Sequence, residues 1–374
     1  MNRPRVVHVH RIGGIGGSER HLLTLLPALA GLGIEASFVG LDFGGGRADP
    51  FYAELGAAGI PFERVPCPRD VHPLLPRALA AAVGRRQADI VHTHLVHADV
   101  YGALVRRARL VSTKHNPDPF RAGPFRLVER AITRRAARVI AISDAVRRFA
   151  VEEVGLPDAT VEVVHYGLDE LPRAWGPNPA LPVPDGARVL LAVGRLADQK
   201  GIDTAVRALA PVRTAHPDAV LVVLGEGPER VRLERLASDL GVSDGVYLPG
   251  RVGDVAAFYR RAELLVHPAR WEGFGLALLE AMLAAKPVVA CRAGSAPELI
   301  DEGRTGFLVE TDDWEALARS VIRLLGDAGL AAAFGAAGRE RARAEFSVER
   351  MAARTAGVYE RVLSSARGMS LWKR

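Results

Sequence analysis

The sequence alternates short apolar runs with helix-like segments, and this alternation restricts the chain to parallel sheets covered by helices. The first seven runs predict strands at Arg5–His10, Glu35–Leu41, Phe62–Pro66, Asp89–His94, Leu110–His115, Arg138–Ile142 and Val161–His165. Six further runs predict strands at Arg188–Val193, Ala219–Leu224, Val246–Leu248, Leu264–His267, Pro287–Ala290 and Gly306–Val309. We therefore expect two doubly wound α/β domains that bind ligands at the carboxyl ends of their strands.

A proline-rich stretch separates the two series of strands. It has no apolar periodicity, which favours an extended connection, and its prolines are Pro172, Pro177, Pro179, Pro182 and Pro184. We expect a first domain over 1–170, a linker over 171–186, a second domain over 187–347 and a C-terminal helix with a tail over 348–374. A length of 374 residues agrees with two domains.

Composition excludes several classes of protein. The net charge of +6 is compatible with nucleic-acid binding, but only 6% of the residues are aromatic and no zinc-knuckle pattern occurs. A basic balance is equally expected of a protein that handles phosphorylated substrates, and we expect no nucleic-acid partner. Cys67 and Cys291 are the only cysteines, and no apolar run approaches a membrane span or a signal peptide. We therefore expect a cytoplasmic protein.

The stretch W-E-G-F-G-L-A-L-L-E, Trp271–Glu280, predicts a ligand site. It follows a buried strand, passes two glycines and enters a helix, an arrangement that directs backbone N–H groups at an anion. Glu272 and Glu280 bracket the turn, and carboxylates are suited to accepting hydrogen bonds from hydroxyl groups. A diphosphate with hydroxyl-rich groups on both sides is a nucleotide sugar, which is the ligand that this stretch indicates.

Two other segments carry features of phosphate sites. Arg195 ends a predicted strand and Lys200 opens the next helix, so both cations are placed to bind phosphate oxygens, with surface charges as the alternative. The loop Gly13–Gly17 allows close backbone approach, with a simple tight turn as the alternative. It fails the dinucleotide fingerprint, because the third glycine position is Glu19. Ser18 is the predicted N-cap of the following helix.

Six histidines of the first half lie on or beside a few predicted strands. They are His8, His10, His92, His94, His97 and His115. The usual strand order of a doubly wound sheet would bring His10 and His94 together. Neither a carboxylate nor a cysteine joins the group at ligand spacing, so we expect buried, hydrogen-bonded rings and no metal site. His115, at the end of its strand, is the histidine expected to face the ligand.

Arginines recur at every fourth residue over 126–138. On a helix they would form a basic stripe beside an apolar one, and they are Arg126, Arg130, Arg134 and Arg138. Peripheral contact with an anionic membrane is one interpretation, on the inner face of the plasma membrane. A solvated helix face is the other.

Taken in order, the motifs resemble those of the retaining GT-B-fold glycosyltransferases of glycosyltransferase family 4, over essentially the whole chain. In the first half they are G-G-S-E-R (Gly16–Arg20), the strand ending at His115 and A-I-S-D-A-V (Ala141–Val146). In the second half they are G-R-L-A-D-Q-K-G (Gly194–Gly201), G-E-G-P (Gly225–Pro228), P-G-R-V (Pro249–Val252), the E-x7-E pattern within Trp271–Glu280, and G-S-A-P-E-L-I (Gly294–Ile300). One departure is H-Y-G-L-D (His165–Asp169), where relatives often read N-G-V-D.

The resemblance implies the fold: two Rossmann-like domains facing across a cleft, with the C-terminal helix crossing back to the first. It also implies roles for residues of the second half. Arg195 and Lys200 would bind the donor diphosphate, Glu280 the ribose and Glu272 the transferred sugar. Backbone groups of Phe274, Gly275 and Leu276 would contact sugar and phosphate, and that of Val252 the base. In the first half, Gly16 and Gly17 would approach the phosphate, and His115 the sugar near its reacting carbon.

The implied activity is a metal-independent, retaining transfer of a sugar from a nucleoside diphosphate donor, UDP-linked, to a glycan, lipid-linked or small-molecule acceptor. Glu272, His115, Arg195 and Lys200 would form the catalytic set, and no cofactor would be needed. Cell-envelope or exopolysaccharide biosynthesis is the implied context. A sugar-nucleotide epimerase on the same fold, a non-catalytic nucleotide-sugar-binding protein and an NAD-dependent oxidoreductase are the alternatives, the last weakened by the broken fingerprint.

Overall fold

A computed structural model describes residues 3–67, 73–121, 123–171, 174, 176 and 183–371. The chain divides into two compact units. The first comprises Met1–Gly167 with Ser347–Arg374, and the second comprises Leu168–Phe346. Most of the predicted linker over 171–186 lies outside the described residues.

The first unit contains a parallel sheet whose described strands number seven, as predicted. They are β1 (Arg5–Ile12), β2 (Glu35–Asp42), β3 (Phe62–Pro66), β4 (Ile90–His94), β5 (Arg109–Lys114), β6 (Ala136–Ala141) and β7 (Val161–Val163). Their order is β3-β2-β1-β4-β5-β6-β7, which is doubly wound and reverses direction between β1 and β4. His8 pairs with His92 in register across this reversal.

Helices cover both faces of this sheet. Those described are α1 (Gly17–Gly31), α2 (Asp49–Ala57), α3 (Leu75–Arg85), α4 (Leu95–Gly102), α5 (Arg126–Arg135), α6 (Asp144–Arg148) and, from the end of the chain, α14 (Val348–Leu371). α14 packs against α1, and Val358 and Tyr359 join the buried core beside Leu22 and Leu26. The prediction that the last helix returns to the first domain is confirmed.

The predicted basic stripe is interrupted. α5 ends at Arg135, so Arg138 lies in strand β6, where its Nε is 3.2 Å from Glu162 Oε1. Arg126 and Arg134 are exposed, whereas Arg130 is half-buried and donates from Nε to the Val154 carbonyl at 3.0 Å. The four-residue spacing wrongly predicted that the helix continues to residue 138, because strand pairing places that residue in β6.

Buried charges anchor α5 to the sheet. Lys114 Nζ, on β5, donates to Asp99 Oδ2 at 2.7 Å and lies 2.5 Å from Glu129 Oε1 of α5, and Arg121 Nη1 donates to Glu129 Oε2 at 2.7 Å. All four side chains are at most 4% exposed. Burial raises the pKa of Asp99, but Lys114 and Arg121 outweigh it and hold the pKa below its ordinary value. Two cations thus balance two carboxylates, which is the condition for burying them.

The second unit contains a six-stranded parallel sheet within the described residues. The strands are β8 (Arg188–Val193), β9 (Ala219–Leu224), β10 (Val246–Gly250), β11 (Leu264–His267), β12 (Val288–Cys291) and β13 (Gly306–Val309). Their order is β10-β9-β8-β11-β12-β13, so this sheet is also doubly wound. The prediction of two doubly wound α/β domains is confirmed.

The helices of the second unit enclose a core of aliphatic residues. They are α7 (Ile202–Ala215), α8 (Arg230–Asp239), α9 (Val255–Arg261), α10 (Leu276–Leu283), α11 (Ala296–Leu299), α12 (Trp314–Gly326) and α13 (Ala328–Glu345). Val206, Leu221 and Leu317 are fully or almost fully buried in this core. Across the described part of the chain, no single helix is long and apolar enough to cross a membrane, although one bent pair, Trp314–Gly326 with Ala328–Ser364, passes by length and composition.

Candidate functional site

The turn from Trp271 to Gly275 joins β11 to α10 where the strand order of the second sheet reverses. β8 and β11 pair there, although β9 and β10 separate them in the sequence. Gly275 caps α10 with φ +79°, a left-handed conformation that glycine adopts without strain. The predicted strand, glycine turn and helix are confirmed, and the carboxyl ends of strands at such a reversal are where ligands bind.

Glu272 is a buried carboxylate that lies against two basic side chains, one in the segment after β8 and one at the end of β11. Lys200, which follows β8, donates from Nζ to Oε2, and His267 Nε2 lies 3.2 Å from the same oxygen. The backbone N–H of Gly273 donates to Oε1 at 3.1 Å. Burial raises the pKa of Glu272, but Lys200 and His267 outweigh it and lower the pKa to about 2. The carboxylate is therefore ionised at neutral pH.

The loop after β12 supports this turn from behind. Gly294 has φ +55°, and a Cβ there would lie 2.1 Å from the Glu272 carbonyl oxygen. Ser295, fully buried, donates from Oγ to the Phe274 carbonyl at 2.7 Å. The G-S-A-P-E-L-I segment therefore holds the backbone of the turn, and only glycine allows the approach at residue 294.

Arg270 connects the turn to three acidic residues. Its guanidinium lies 3.1 Å from Asp198, 2.9 Å from Asp203 and 2.8 Å from Asp312, measured between nitrogen and carboxylate oxygen. These hydrogen bonds raise the pKa of Arg270 above its ordinary value. Sequence reasoning missed Arg270, because its partners lie far from it in the sequence. His267 was also missed, although a polar residue ending a buried strand was a usable signal.

The other predicted residues of the second unit differ in exposure. Arg195 is exposed, whereas Val252 and Phe274 are buried and Leu276 is half-buried at the start of α10. Glu280 is 2% exposed, and the hydroxyl of Tyr259 donates to its Oε2 at 2.8 Å. Tyr259, a fully buried residue of α9, was not singled out from the sequence. It orients the Glu280 carboxylate.

In the first unit, the glycine loop leads from β1 into α1. Gly16 and Gly17 are both exposed. The prediction that Ser18 caps the helix is wrong: Gly16 is the N-cap, and its backbone N–H donates to Glu19 Oε2 at 3.0 Å. The hydroxyl of Ser18 donates to the same carboxylate oxygen at 3.0 Å. Glu19 wins because an acidic residue at the third helical position can reach back to the cap N–H.

Five of the six predicted histidines, those on β1, on β4 and directly after β5, form a buried cluster, whereas His97 is half-buried on α4. The predicted proximity of His10 and His94 is confirmed, since His10 Nδ1 lies 3.1 Å from the His94 carbonyl oxygen. His115 is 5% exposed, and its ring nitrogens bond to His94 and Tyr166. Its predicted contact with a donor sugar stays a prediction.

Three rings of this cluster, those of His8, His92 and His94, offer nitrogens within 4.8 Å of one another. Such a group could hold a metal ion by distance. All six of their ring nitrogens, however, have hydrogen-bond partners among protein side chains. A metal would have to displace those bonds, so the geometry favours the predicted hydrogen-bonded rings.

Comparison with known proteins assigns the family. The family model for glycosyl transferases group 1 matches residues 178–341, and that for glycosyltransferase family 4 matches residues 15–170. A lipopolysaccharide core biosynthesis mannosyltransferase of Rhizobium leguminosarum is 35% identical over 63% of this chain and 68% of its own. The chain belongs to glycosyltransferase family 4. This confirms the resemblance that its motifs indicated.

Two further proteins extend the comparison. A GDP-mannose-dependent phosphatidylinositol monomannoside mannosyltransferase of Mycolicibacterium smegmatis is 34% identical over 52% of this chain, which spans 60% of that enzyme. The Anabaena protein HepE, solved in complex with UDP-glucose, superposes with a TM-score of 0.81 at 22% identity, covering 95% of this chain and 99% of its own. The superposition confirms the GT-B fold.

The buried histidines predict a stability that depends on pH. The pKa of His8 and that of His21 are lowered from 6.5 to about 3 by burial. Their contribution to stability is therefore complete above pH 6.5 and is lost as the pH falls toward 3, because the unfolded chain binds the protons first. At pH 5, each of these two rings should lower the free energy of unfolding by about 2 kcal/mol.

Hydrogen exchange at pH 7 and pH 5, corrected for intrinsic rates, measures this loss. Amides of β1 and β4 should lose protection at pH 5. Those of β8 and β11 serve as the internal control, since the Glu272 carboxylate beside them stays ionised at that pH. Unchanged protection of β1 and β4 at pH 5 would contradict the prediction.

Proposed function

We propose that this protein transfers a sugar from a nucleoside diphosphate sugar to a glycan, lipid-linked or small-molecule acceptor, retaining the anomeric configuration and using no metal. The observation that carries the proposal is the ion pair of Lys200 with buried Glu272, beside the N-terminus of α10 at the strand reversal. This arrangement brings a cation, a carboxylate that can accept from hydroxyls and the start of a helix to the same turn. We further propose a cytoplasmic location and a role in cell-envelope or exopolysaccharide biosynthesis.

The chemistry of the proposed transfer needs both signs of charge. Breaking the bond between sugar and phosphate leaves positive character on the anomeric carbon and negative charge on the departing diphosphate. Exposed Arg195, Lys200 and the N-terminus of α10 are suited to stabilise the diphosphate. Arginine binds phosphate through a planar fork and lysine as a point charge, so the pair neutralises charge without a divalent ion.

The proposed roles of the two glutamates follow from their environments. Without donor, Lys200 donates to Glu272; with donor, we expect Lys200 to turn to the phosphate and Glu272 to accept from hydroxyls of the sugar. Glu280 is oriented by Tyr259 and would accept from the ribose. Backbone groups at Gly16 and Gly17 would approach the phosphate, and His115 would contact the sugar.

Variants of the Lys200–Glu272 ion pair separate its effect on sugar transfer from its effect on the stability of the fold. Lys200→Ala leaves Glu272 buried without its cation and should cost about 3 kcal/mol of stability. Adding Glu272→Gln removes that charge, so the double variant should recover stability in urea unfolding. Transfer should fall by at least about a hundredfold in Lys200→Ala, in Glu272→Gln and in the double variant.

Glu229→Gln is the matched control, since Glu229 forms a solvent-exposed ion pair with Arg232 on the same unit. It should change neither transfer nor stability measurably. Normal turnover in the Lys200→Ala/Glu272→Gln protein would overturn the assignment of the site. Consumption of donor without any acceptor would instead indicate the epimerase alternative.

The base of the donor has two candidates. The resemblance of the motifs implied UDP, and HepE was solved with UDP-glucose. The mycobacterial relative is named for GDP-mannose at 34% identity, which makes GDP the second candidate. Because a ligand at about 100 times its Kd adds about 2.7 kcal/mol of stability, the matching nucleotide should raise Tm by several degrees. We expect UDP to do so and GDP not to; the reverse result would establish the second candidate.

A membrane-facing surface is proposed on α5 and the turn before it. Phe120 is 52% exposed, Leu127 71% and Val128 44%, and these apolar side chains stand beside exposed Arg126 and Arg134. Apolar side chains flanked by arginines are typical of a helix that lies on an anionic bilayer. We therefore propose that this surface contacts anionic lipid.

Binding to anionic vesicles tests this surface. The double variant Leu127→Gln/Val128→Gln should bind phosphatidylglycerol vesicles at least about tenfold more weakly at low salt, because two apolar side chains no longer enter the interface. Val231→Gln is the matched control, since Val231 is 55% exposed on α8 of the other unit. Failure of the unaltered protein to sediment with the vesicles would remove the proposal.

A further inference from the structure

A continuous chain of hydrogen bonds runs through the interior of the first unit. It links rings and hydroxyls that are all buried, on β1, β4, β5, the residue after β5, the segment after β7, and α14. We call it the histidine chain, and in order its members are Tyr166, His115, His94, His8, Tyr359, His92 and Thr113.

Every link of the histidine chain joins two side chains of the protein at hydrogen-bond distance. His94 Nδ1 lies 3.0 Å from His115 Nε2, and His8 Nδ1 lies 3.0 Å from His94 Nε2. The Tyr359 hydroxyl lies 3.3 Å from His8 Nε2 and 2.6 Å from His92 Nδ1. His92 Nε2 lies 2.6 Å from the Thr113 hydroxyl, and the Tyr166 hydroxyl contacts His115 Nδ1.

Counting protons shows that all links must point the same way. Burial keeps the four rings neutral, with the pKa of His115 well below its ordinary value, so each ring has one N–H and one acceptor nitrogen. A ring bonded at both nitrogens must therefore accept at one and donate at the other. Tyr359 has a single hydroxyl proton, and in the interior that proton would be left unbonded unless it goes to one of the two histidine neighbours, so Tyr359 donates to one and accepts from the other. One orientation at any link thus fixes the orientation of every other.

The two bonds of Tyr359 identify that orientation. Hydrogen bonds with O–H donors are shorter than those with N–H donors. The bond of 2.6 Å to His92 therefore carries the hydroxyl proton, and the bond of 3.3 Å is donated by His8 Nε2–H. It follows that His94 Nε2–H donates to His8 Nδ1, His115 Nε2–H donates to His94 Nδ1, and Tyr166 donates to His115 Nδ1.

His92 Nε2–H then donates to the Thr113 hydroxyl at 2.6 Å, which is the one short bond with an N–H donor in this direction. The opposite direction would give the Tyr359 hydroxyl the 3.3 Å bond and would make two short bonds, those of His92 with Tyr359 and of His115 with Tyr166, depend on N–H donors.

We propose that Tyr166 is a positioning residue that holds His115 as the neutral Nε2–H tautomer, with both ring nitrogens engaged within the protein. His21 fixes the phenol ring in turn, stacking on it with 4.1 Å between centroids and 18° between planes. The link to catalysis rests on the proposed function, in which His115 contacts the donor sugar. Because the lone pair of Nδ1 accepts the hydrogen bond from Tyr166, the His115 ring stays neutral beside the sugar and accepts no proton from it.

The tautomers can be read directly by nitrogen NMR of protein labelled with 15N-histidine, with no donor present. Single His→Gln variants assign the ring signals. We expect His8, His92, His94 and His115 to be protonated at Nε2 alone at pH 7, and still neutral at pH 6. A ring protonated at Nδ1, or a charged ring at pH 6, would overturn the orientation.

Tyr166→Phe tests the positioning role, and Tyr52→Phe is the matched control. Tyr52 is also a buried tyrosine of the first unit, but its hydroxyl is left without a hydrogen-bond partner among the described residues. In Tyr166→Phe the His115 Nδ1 signal should move to the position of an unbonded acceptor. If the proposed transfer is established, kcat should fall about tenfold with the donor KM within about twofold. Tyr52→Phe should change neither.

An unchanged His115 signal in Tyr166→Phe would overturn the proposal, as would a changed signal with unchanged kcat. The outcome is separable from that of the proposed function. Absence of any transfer activity would refute the glycosyltransferase proposal, while the nitrogen signals of the unaltered protein would still decide the orientation of the histidine chain.

Discussion

The pairing of β8 with β11 is the constraint on which the second unit depends. Parallel pairing of two strands that are distant in sequence brings Lys200, after one, against Glu272, after the other. The ion pair makes it tolerable to bury Glu272, and burial in turn protects the pair from the screening that weakens surface ion pairs. Gly294 and Ser295 then hold the turn from behind. The geometry of the proposed donor site is thus fixed by contacts within the protein.

Buried polar groups are stabilised in two ways. Glu272 in the second unit, like Asp99 in the first, stays charged because a cation lies beside it, whereas burial keeps the central histidines of the first unit neutral. A neutral ring accepts a hydrogen bond at one nitrogen and donates one at the other. A row of such rings therefore satisfies all of its ring nitrogens with one proton per ring. The arrangement also ties α14 to β1 and β4 through Tyr359. Fold and electrostatics are therefore joined at the same residues.

The strands were predictable from the sequence because strands buried on both faces appear as continuous apolar runs. β8, β9, β11 and β13 begin and end where the pattern placed them. Arg138 shows the limit, since both a helical spacing and a strand run included it, and strand pairing with Val111 of β5 placed it in β6. The surroundings of Glu272 could be foreseen only in part. The sequence singled out Lys200 as a cation for phosphate, but its ion pair with Glu272 and the contacts of His267 and Arg270 depend on approaches that spacing does not encode.

The contacts of Arg270 have a consequence for the charge balance beside the turn. One guanidinium draws together carboxylates from two segments, Asp198 and Asp203 on either side of the start of α7 and Asp312 after β13. Carboxylates held this near one another repel, and a guanidinium shared among them offsets that repulsion. Because the cation is part of the chain, the balance of charge beside the turn does not depend on anything that can dissociate. A neutral residue at this position would leave the three carboxylates without their shared partner and would loosen the start of the turn that holds Glu272.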